Sequence, residues 1–431
     1  MPPIPLQHSD FTLDASGVAG FFGGDEAISA MATVHMYESR KWLGWYNSPG
    51  SYTVAKRYGQ LANSRFWDGL FPGGNVSPAV MFELDNMKGP TYHGLHSGAV
   101  IPQTGHLAHL FVSECKAMEA NYRTEGRITR PAGVTIAELS HVPPLELGPK
   151  LSLPVSSALL SAIPIAVSWG TCIVCGVFRD WWCCSMILLG IVSSGLSCFV
   201  IGSGKCTFSR PSVASAAPDG DGLLVTDNDI VVLKGREEVI DAIIMGKFSI
   251  QYSDDSEPHP ERRNIGLCSL LLTVQFLAQL LLIPQGTLFG QIMFLTSLAF
   301  SWGYNSWLSS LDKAKLQRDM LIEKVLNKPP MKKYELGTRT AMVVFVILAL
   351  GKQLEEPRKL LESLLPNDTK VWKRWKDTVL ERLKMGGEIC FQKDEWDVEG
   401  YSESERNLLK TLYEDAEAAW RTHRKRSQIA G

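Results

Sequence analysis

The chain has 431 residues, a formal charge of −2 and 20 % charged residues, and its mean hydropathy is near zero. With no polybasic field and no zinc-finger, RRM or homeodomain pattern, nucleic acid is excluded as a partner. The averages hide a segregation: charges are almost absent from about 151–204 and about 266–308 and are crowded elsewhere.

Residues 1–150 are rich in glycine, histidine and aromatics, with loop signals at Asn47-Ser-Pro-Gly50 and Phe71-Pro-Gly-Gly-Asn75. This reads as a partly irregular cytoplasmic region with a disordered start and short helices around Tyr52 to Trp67 and Gly105 to Ala120. The first residues show no basic n-region and no apolar core, so the first spanning helix is expected to act as its own insertion signal.

A helix crossing the hydrocarbon core needs about 20 apolar residues, because unpaired peptide groups cannot be hydrated there. Four stretches qualify. Residues 151–204 form a first hairpin, with spans at about 153–178 and 182–203 joined at Arg179-Asp180-Trp181. Residues 266–308 form a second, with spans at about 266–283 and 286–308 broken at Pro284-Gln285-Gly286.

In the first span, Ser157, Ser161, Pro164, Ser168, Cys172 and Cys175 share a face, and in the second Gly190, Ser194 and Ser197 do. These small residues read as the packing seam of the first hairpin, the alternative being the polar lining of a solute path. Gln275 and Gln279 lie one turn apart, and Gln291, Ser301 and Asn305 share a face of the fourth span; all are expected to hydrogen-bond between helices. No Asp, Glu, Lys, Arg or His lies inside a span, which argues against ion-coupled transport.

Residues 205–265 hold a small α+β module at about 222–252. Leu223-Leu-Val-Thr, the turn Asp227-Asn-Asp229 and Ile230-Val-Val-Leu233 predict a β-hairpin, followed by a helix from Arg236 to Phe248 and a third strand from Ser249 to Tyr252. Residues 309–431 predict a helical region. The fourth span's helix is expected to run on to about Asn327, and a second helix covers Thr338 to Leu364 with a kink at Pro357. A third starts at Asn367 or Asp368 and ends before Gly386, and a last opens on the capping box Ser402-Glu-Ser-Glu405. The apolar run Ala341 to Leu350, bracketed by Arg339 and Lys352, is short for a span and reads as a buried helix. Lys205, Arg210, Arg262 and Arg263 flank the central loop, and Lys313, Lys315, Arg318 and Lys324 follow the fourth span, whereas the hairpin turns hold only Arg179. Both termini are therefore expected in the cytoplasm.

Chemistry-bearing patterns are few. His93-x-x-His96 and His106-x-x-His109 carry metal-ligand types but no fixed acidic partner and read as ordinary loop and core histidines. Gly202-Ser-Gly-Lys205 departs from a phosphate loop at both ends, Cys172-x-x-Cys175 lacks a redox setting, and Asp219-Gly-Asp221 lacks a third calcium ligand. The nine cysteines are irregularly spaced and read as small apolar residues in reduced protein, with Cys198 and Cys206 as candidates for palmitoylation. No catalytic, cofactor-binding or metal residue is assigned.

Leu364-Leu-Pro-Asn-Asp-Thr-Lys-Val-Trp372, the segment Ile230 to Gly235 and the turn Arg179-Asp-Trp-Trp182, with the two-hairpin layout, resemble uncharacterised multi-pass membrane proteins of mushroom-forming fungi over most of the chain. The resemblance implies a membrane location and no activity. The expected fold is an α-helical integral membrane protein with four transmembrane helices as two hairpins, a small α+β cytoplasmic module and a helical C-terminal region. The expected function is non-enzymatic, binding or organising partners through cytoplasmic modules. The alternatives are an oligomeric channel or passive facilitator for a small solute and, third, a membrane-bound enzyme. The expected partners are the lipid bilayer, proteins on the cytoplasmic face and further copies of the chain, in the plasma membrane or an endomembrane.

Overall fold

The structure is a computed structural model that describes residues 4–6, 18–37, 39–62, 64–73, 76–124, 126–141, 151, 154–211, 219–252, 260–351, 354, 356–386 and 388–429. The expected disorder at the start of the chain lies mostly outside them. Two compact units form, each from three separated segments: Met1–Asn86, Pro144–Ser209 and Phe248–Met320 in the first, and Met87–Pro143, Arg210–Lys247 and Leu321–Gly431 in the second. The units therefore do not follow the segment boundaries read from the sequence.

The first unit is helical. Its main elements are α1 (Gly24–Met31), α2 (Ser51–Ala62), α3 (Val155–Val177), α4 (Trp181–Gly202), α5 (Pro260–Leu282) and α6 (Leu288–Ser309). Three helices are long and apolar enough to cross a membrane: Val155–Val177, Trp181–Gly202 and Arg263–Gln285. At 1.5 Å per residue, a 23-residue helix is about 35 Å long, against a hydrocarbon core of about 30 Å. Helix α6 is as long as α4, but Gln291, Asn305 and its Trp/Tyr cluster dilute its hydropathy.

The two segments before residue 86 that fold as α1 and α2 pack onto these helices, α2 against α5 and α1 against α6. The burial pattern of the unit is inverted relative to a soluble bundle: Leu159, Ile173, Leu188, Val274, Leu281 and Phe300 are exposed, while Ser168, Ser197, Gln275, Gln279, Ser297 and Asn305 are buried. Strands Lys205–Ser209 and Lys247–Gln251 pair in a two-stranded sheet. The strand expected at Ser249 to Tyr252 thus returns to the stretch following α4, and not to the predicted hairpin.

The second unit holds a seven-stranded sheet. Its strands are β1 (Thr91–Gly94), β2 (Val100–Ile101), β3 (Tyr122–Arg123), β4 (Ala132–Leu139), β5 (Gly222–Val225), β6 (Asp229–Gly235) and β7 (Met331–Leu336), in the order β2-β1-β5-β6-β4-β7-β3. The predicted hairpin is β5–β6, antiparallel with Val225 opposite Ile230. Its module is not self-contained: β5 pairs with β1 and β6 runs parallel to β4. Strand β7 was not expected, since Lys332, Lys333 and Glu335 mask an alternation in which only Tyr334 and Leu336 are fully buried.

The Arg339–Leu350 helix, apolar all round, has Ala341 to Ile347 at most 4 % exposed in the core of this unit. Apolar residues on every side require burial on every side, and at 12 residues, about 18 Å, it is too short to span. The helix expected from Thr338 to Leu364 is two, Arg339–Leu350 and Pro357–Leu364, because proline starts the second. The continuation of α6 to Asn327 is also corrected: α6 ends at Ser309, and a Lys313–Met320 helix leads into a π turn at Leu321–Val325.

The Lys370–Met385 helix ends on Gly386 in the left-handed region at φ 68°, where glycine pays no Cβ penalty. The Glu403–Ile429 helix opens on the predicted capping box, with Ser402 N donating to Glu405 Oε2 at 2.8 Å and Glu405 N to Ser402 Oγ at 3.3 Å. Trp375 joins these two helices: it is 0 % exposed and its Nε1 donates to Leu412 O at 2.9 Å. Trp375→Ala is expected to cost about 3–5 kcal/mol in chemical denaturation of the second unit; a loss below about 1 kcal/mol would mean the helices are held elsewhere.

Candidate functional site

The interior of the helical unit is filled by a stretch from outside the apolar helices. Residues 41–50 run along α4, leaving a 3-10 turn at Arg40–Trp42 and continuing without helix from 43 to 50. A Cβ at Gly202 would lie 2.4 Å from Lys41 Cβ, one at Gly195 2.4 Å from Trp45 Cε3, and one at Gly190 1.9 Å from Asn47 Oδ1. From Gly202 to Gly190 the helix rises about 18 Å, so the stretch reaches past the middle of α4. The small residues of α4 are its seat. The expected packing seam of Gly190, Ser194 and Ser197 therefore faces this stretch and α5, whereas α3 meets α4 through Cys172 and Cys184, whose sulfurs are 3.8 Å apart.

Non-helical backbone at such depth survives only where the protein supplies its hydrogen bonds. Asn47 N donates to Ser168 Oγ of α3 at 3.0 Å, and Asn47 Nδ2 to Ser297 Oγ of α6 at 2.8 Å. Tyr46 Oη donates to Asn305 Oδ1 at 2.7 Å, and Asn305 Nδ2 to Ser48 Oγ at 3.2 Å. The turn that follows is tight: Gly50 has φ 74°, and a Cβ there would lie 2.2 Å from Gly24 Cα. Here α1 and α2 both begin, so two helix N-termini adjoin inside the unit.

The glutamines divide their work. Gln275 Nε2 donates to Gln279 Oε1 at 3.4 Å, and Gln279 Nε2 to Met186 O of α4 at 3.3 Å. Gln291 Nε2 donates to Ile283 O and Gly286 O, closing the turn between α5 and α6. Gln279 bridges α5 to α4 as the sequence suggested, and Gln291 ties α6 to the end of the preceding helix.

Arg40 brings a buried charge into the unit. It is 1 % exposed, its Nη2 lies 3.5 Å from Tyr46 Oη, and its guanidinium sits 5.4 Å from the Tyr304 ring centroid. A cation over an aromatic face in a desolvated site gains about 2 kcal/mol. The run Gly44-Trp-Tyr-Asn-Ser-Pro-Gly50 signals a turn in the sequence, and nothing local marks it as buried.

Asp180, 4 % exposed, ties the two interhelical turns. Its carboxylate accepts from Cys183 N at 3.1 Å, Thr287 N at 2.8 Å and Thr287 Oγ1 at 2.6 Å. It thus serves the N-termini of both α4 and α6, where the helix dipoles favour negative charge.

In the second unit, His93 and His96 line a cleft of about 460 Å³ with Ser97, Glu356 and Lys359. Burial pushes the His93 pKa below its usual value, which favours the neutral ring. His96 Nε2 lies 3.6 Å from Asp221 Oδ2, while Asp221 Oδ1 accepts from Gly235 N at 2.8 Å. His106 Nδ1 accepts from Met87 N at 3.3 Å, and the His106 and His109 rings stack 6.4 Å apart. Among the described residues no group of three or more His, Cys, Asp or Glu could hold a metal. Cys198 and Cys206 are both buried, so neither is presented for palmitoylation in this conformation.

No family profile, curated protein or solved structure matches the chain.

Proposed function

We propose that the chain is a four-span membrane protein of two helical hairpins whose second unit binds a protein partner in the cytoplasm and which performs no chemistry of its own. The observation that carries this reading is one sheet: β4 precedes the first hairpin, β6 lies between the hairpins, β7 follows the second, and β4 is hydrogen-bonded to both. A sheet cannot be paired through a bilayer, so each hairpin crosses an even number of times. The fourth span would be α6, which exposes Phe300 and Trp302 and buries Gln291, Ser301 and Asn305, the pattern of a helix with lipid outside. The Lys and Arg distribution favours the cytoplasm for the sheet side. The cleft beside His93 and His96 offers both charge signs to a partner, through Glu356 and Lys359. The resemblance to multi-pass membrane proteins of mushroom-forming fungi agrees with this reading and adds no activity.

Single cysteines at Asp227, Gln285 and Lys410, in a chain with Cys390 replaced, test the topology in intact and permeabilised cells. Only Gln285 is expected to label from outside; external labelling of Lys410 would overturn the reading. The facilitator alternative is weakened by the interior, where Ser168, Ser297 and Asn305 are bonded to residues 46–48. Reconstituted protein is expected to leave vesicle permeability to small polar solutes unchanged. Flux that Gln275→Leu with Gln279→Leu abolishes would favour the facilitator.

A further inference from the structure

Beside the start of α2 the helical unit contains a small cavity of about 10 Å³, where Ser48, Ser51, Ser194, Ser197 and Gln275 meet a mostly apolar wall that includes Met31, Val54 and Leu272. This is the room of about one water molecule. Four of its lining residues carry polar atoms without a partner: Ser51 Oγ, Ser194 Oγ, Ser197 Oγ and Gln275 Oε1 make no hydrogen bond among the described residues. Their residues are at most 4 % exposed, so bulk solvent does not serve them either. Buried polar atoms in native proteins are almost always paired, by protein or by ordered water.

We infer that the cavity binds one water molecule, which donates to Gln275 Oε1 and bridges the Ser51 and Ser194 hydroxyls. The donor set selects this ligand. The first N–H groups of the 12-residue α2 begin here and disfavour a cation, while the unpaired amide oxygen of Gln275 disfavours an anion. A neutral molecule that both donates and accepts suits both. The site joins α2, α4 and α5 at the depth where residues 44–50 turn, so the water is the last element of that anchor. The inference rests on the helical unit alone and does not depend on the proposed partner binding.

Removing a hydroxyl tests it by sign, in purified full-length protein in detergent. If a water bridges the site, Ser194→Ala is expected to lower Tm by about 2–4 °C. Ser51→Ala should act alike, and the double variant should lose less than the sum, because both changes act through one water. If the cavity is dry, each substitution deletes an unpaired buried hydroxyl, and Tm stays level or rises; that result would overturn the inference. A structure determined at high resolution gives an independent answer. A density peak within about 3.2 Å of Ser51 Oγ, Ser194 Oγ and Gln275 Oε1 supports the water, and its absence refutes it.

Discussion

Asp180→Ala is expected to destabilise the helical unit by roughly 3–5 kcal/mol, because it strips a buried carboxylate from three donors at once. Cys183 N, Thr287 N and the Thr287 hydroxyl all lose their acceptor, and both interhelical turns lose the group that joins them. Asp180→Asn should cost less, since one amide oxygen can still accept. Its NH₂ would, however, face a donor at Thr287. Gly290 belongs to the same contact, for a Cβ there would lie 2.0 Å from Asp180 Oδ2, so Gly290→Ala should mimic part of the loss. Thermal or denaturant unfolding in detergent reads all three. An Asp180→Ala protein as stable as the parent would show that the turns are held by helix packing alone.

Gly190→Val is expected to be equally damaging by a different route. A side chain at Gly190 meets Asn47 Oδ1, and Asn47 cannot retreat, being held by α3 at its backbone and by α6 at its amide. The clash should displace residues 44–50 and take from Ser168 and Asn305 the partners they have there, at about 1–3 kcal/mol each, while Ser297 keeps only its bond to Phe294 O. The cause can be separated from a general defect in α4 by a double-mutant cycle. Asn47→Ala should destabilise the parent yet recover part of the loss in Gly190→Ala, giving a coupling of about 1 kcal/mol or more. Additive effects would mean that Asn47 does not sit on Gly190.

Which features of this chain are legible locally depends on the range of the forces that hold them. The apolar helices, the Asp227–Asp229 turn, the Ser402 capping box and the glycine stop at Gly386 rest on contacts within a few residues, and each is legible from periodicity and turn chemistry. The buried nature of Ala341 to Leu350 follows from composition and length. Strand β7 escaped because three of its six residues are charged and its pairing partner, β4, lies about 200 residues away in the chain.

Sequence alone determined where the apolar helices lie, that their polar residues must be satisfied inside the unit, and which short elements carry their own start and stop signals. Only the tertiary structure decided what those polar residues meet. Gly190 and Ser168 look like a seam between neighbouring helices, and they are the seat of Asn47, more than 100 residues distant. Likewise Asp180 reads as one residue of a tight turn and proves to hold two. A buried polar group needs a partner wherever it is, but its identity depends on which distant segments the fold brings together, and no local pattern encodes that.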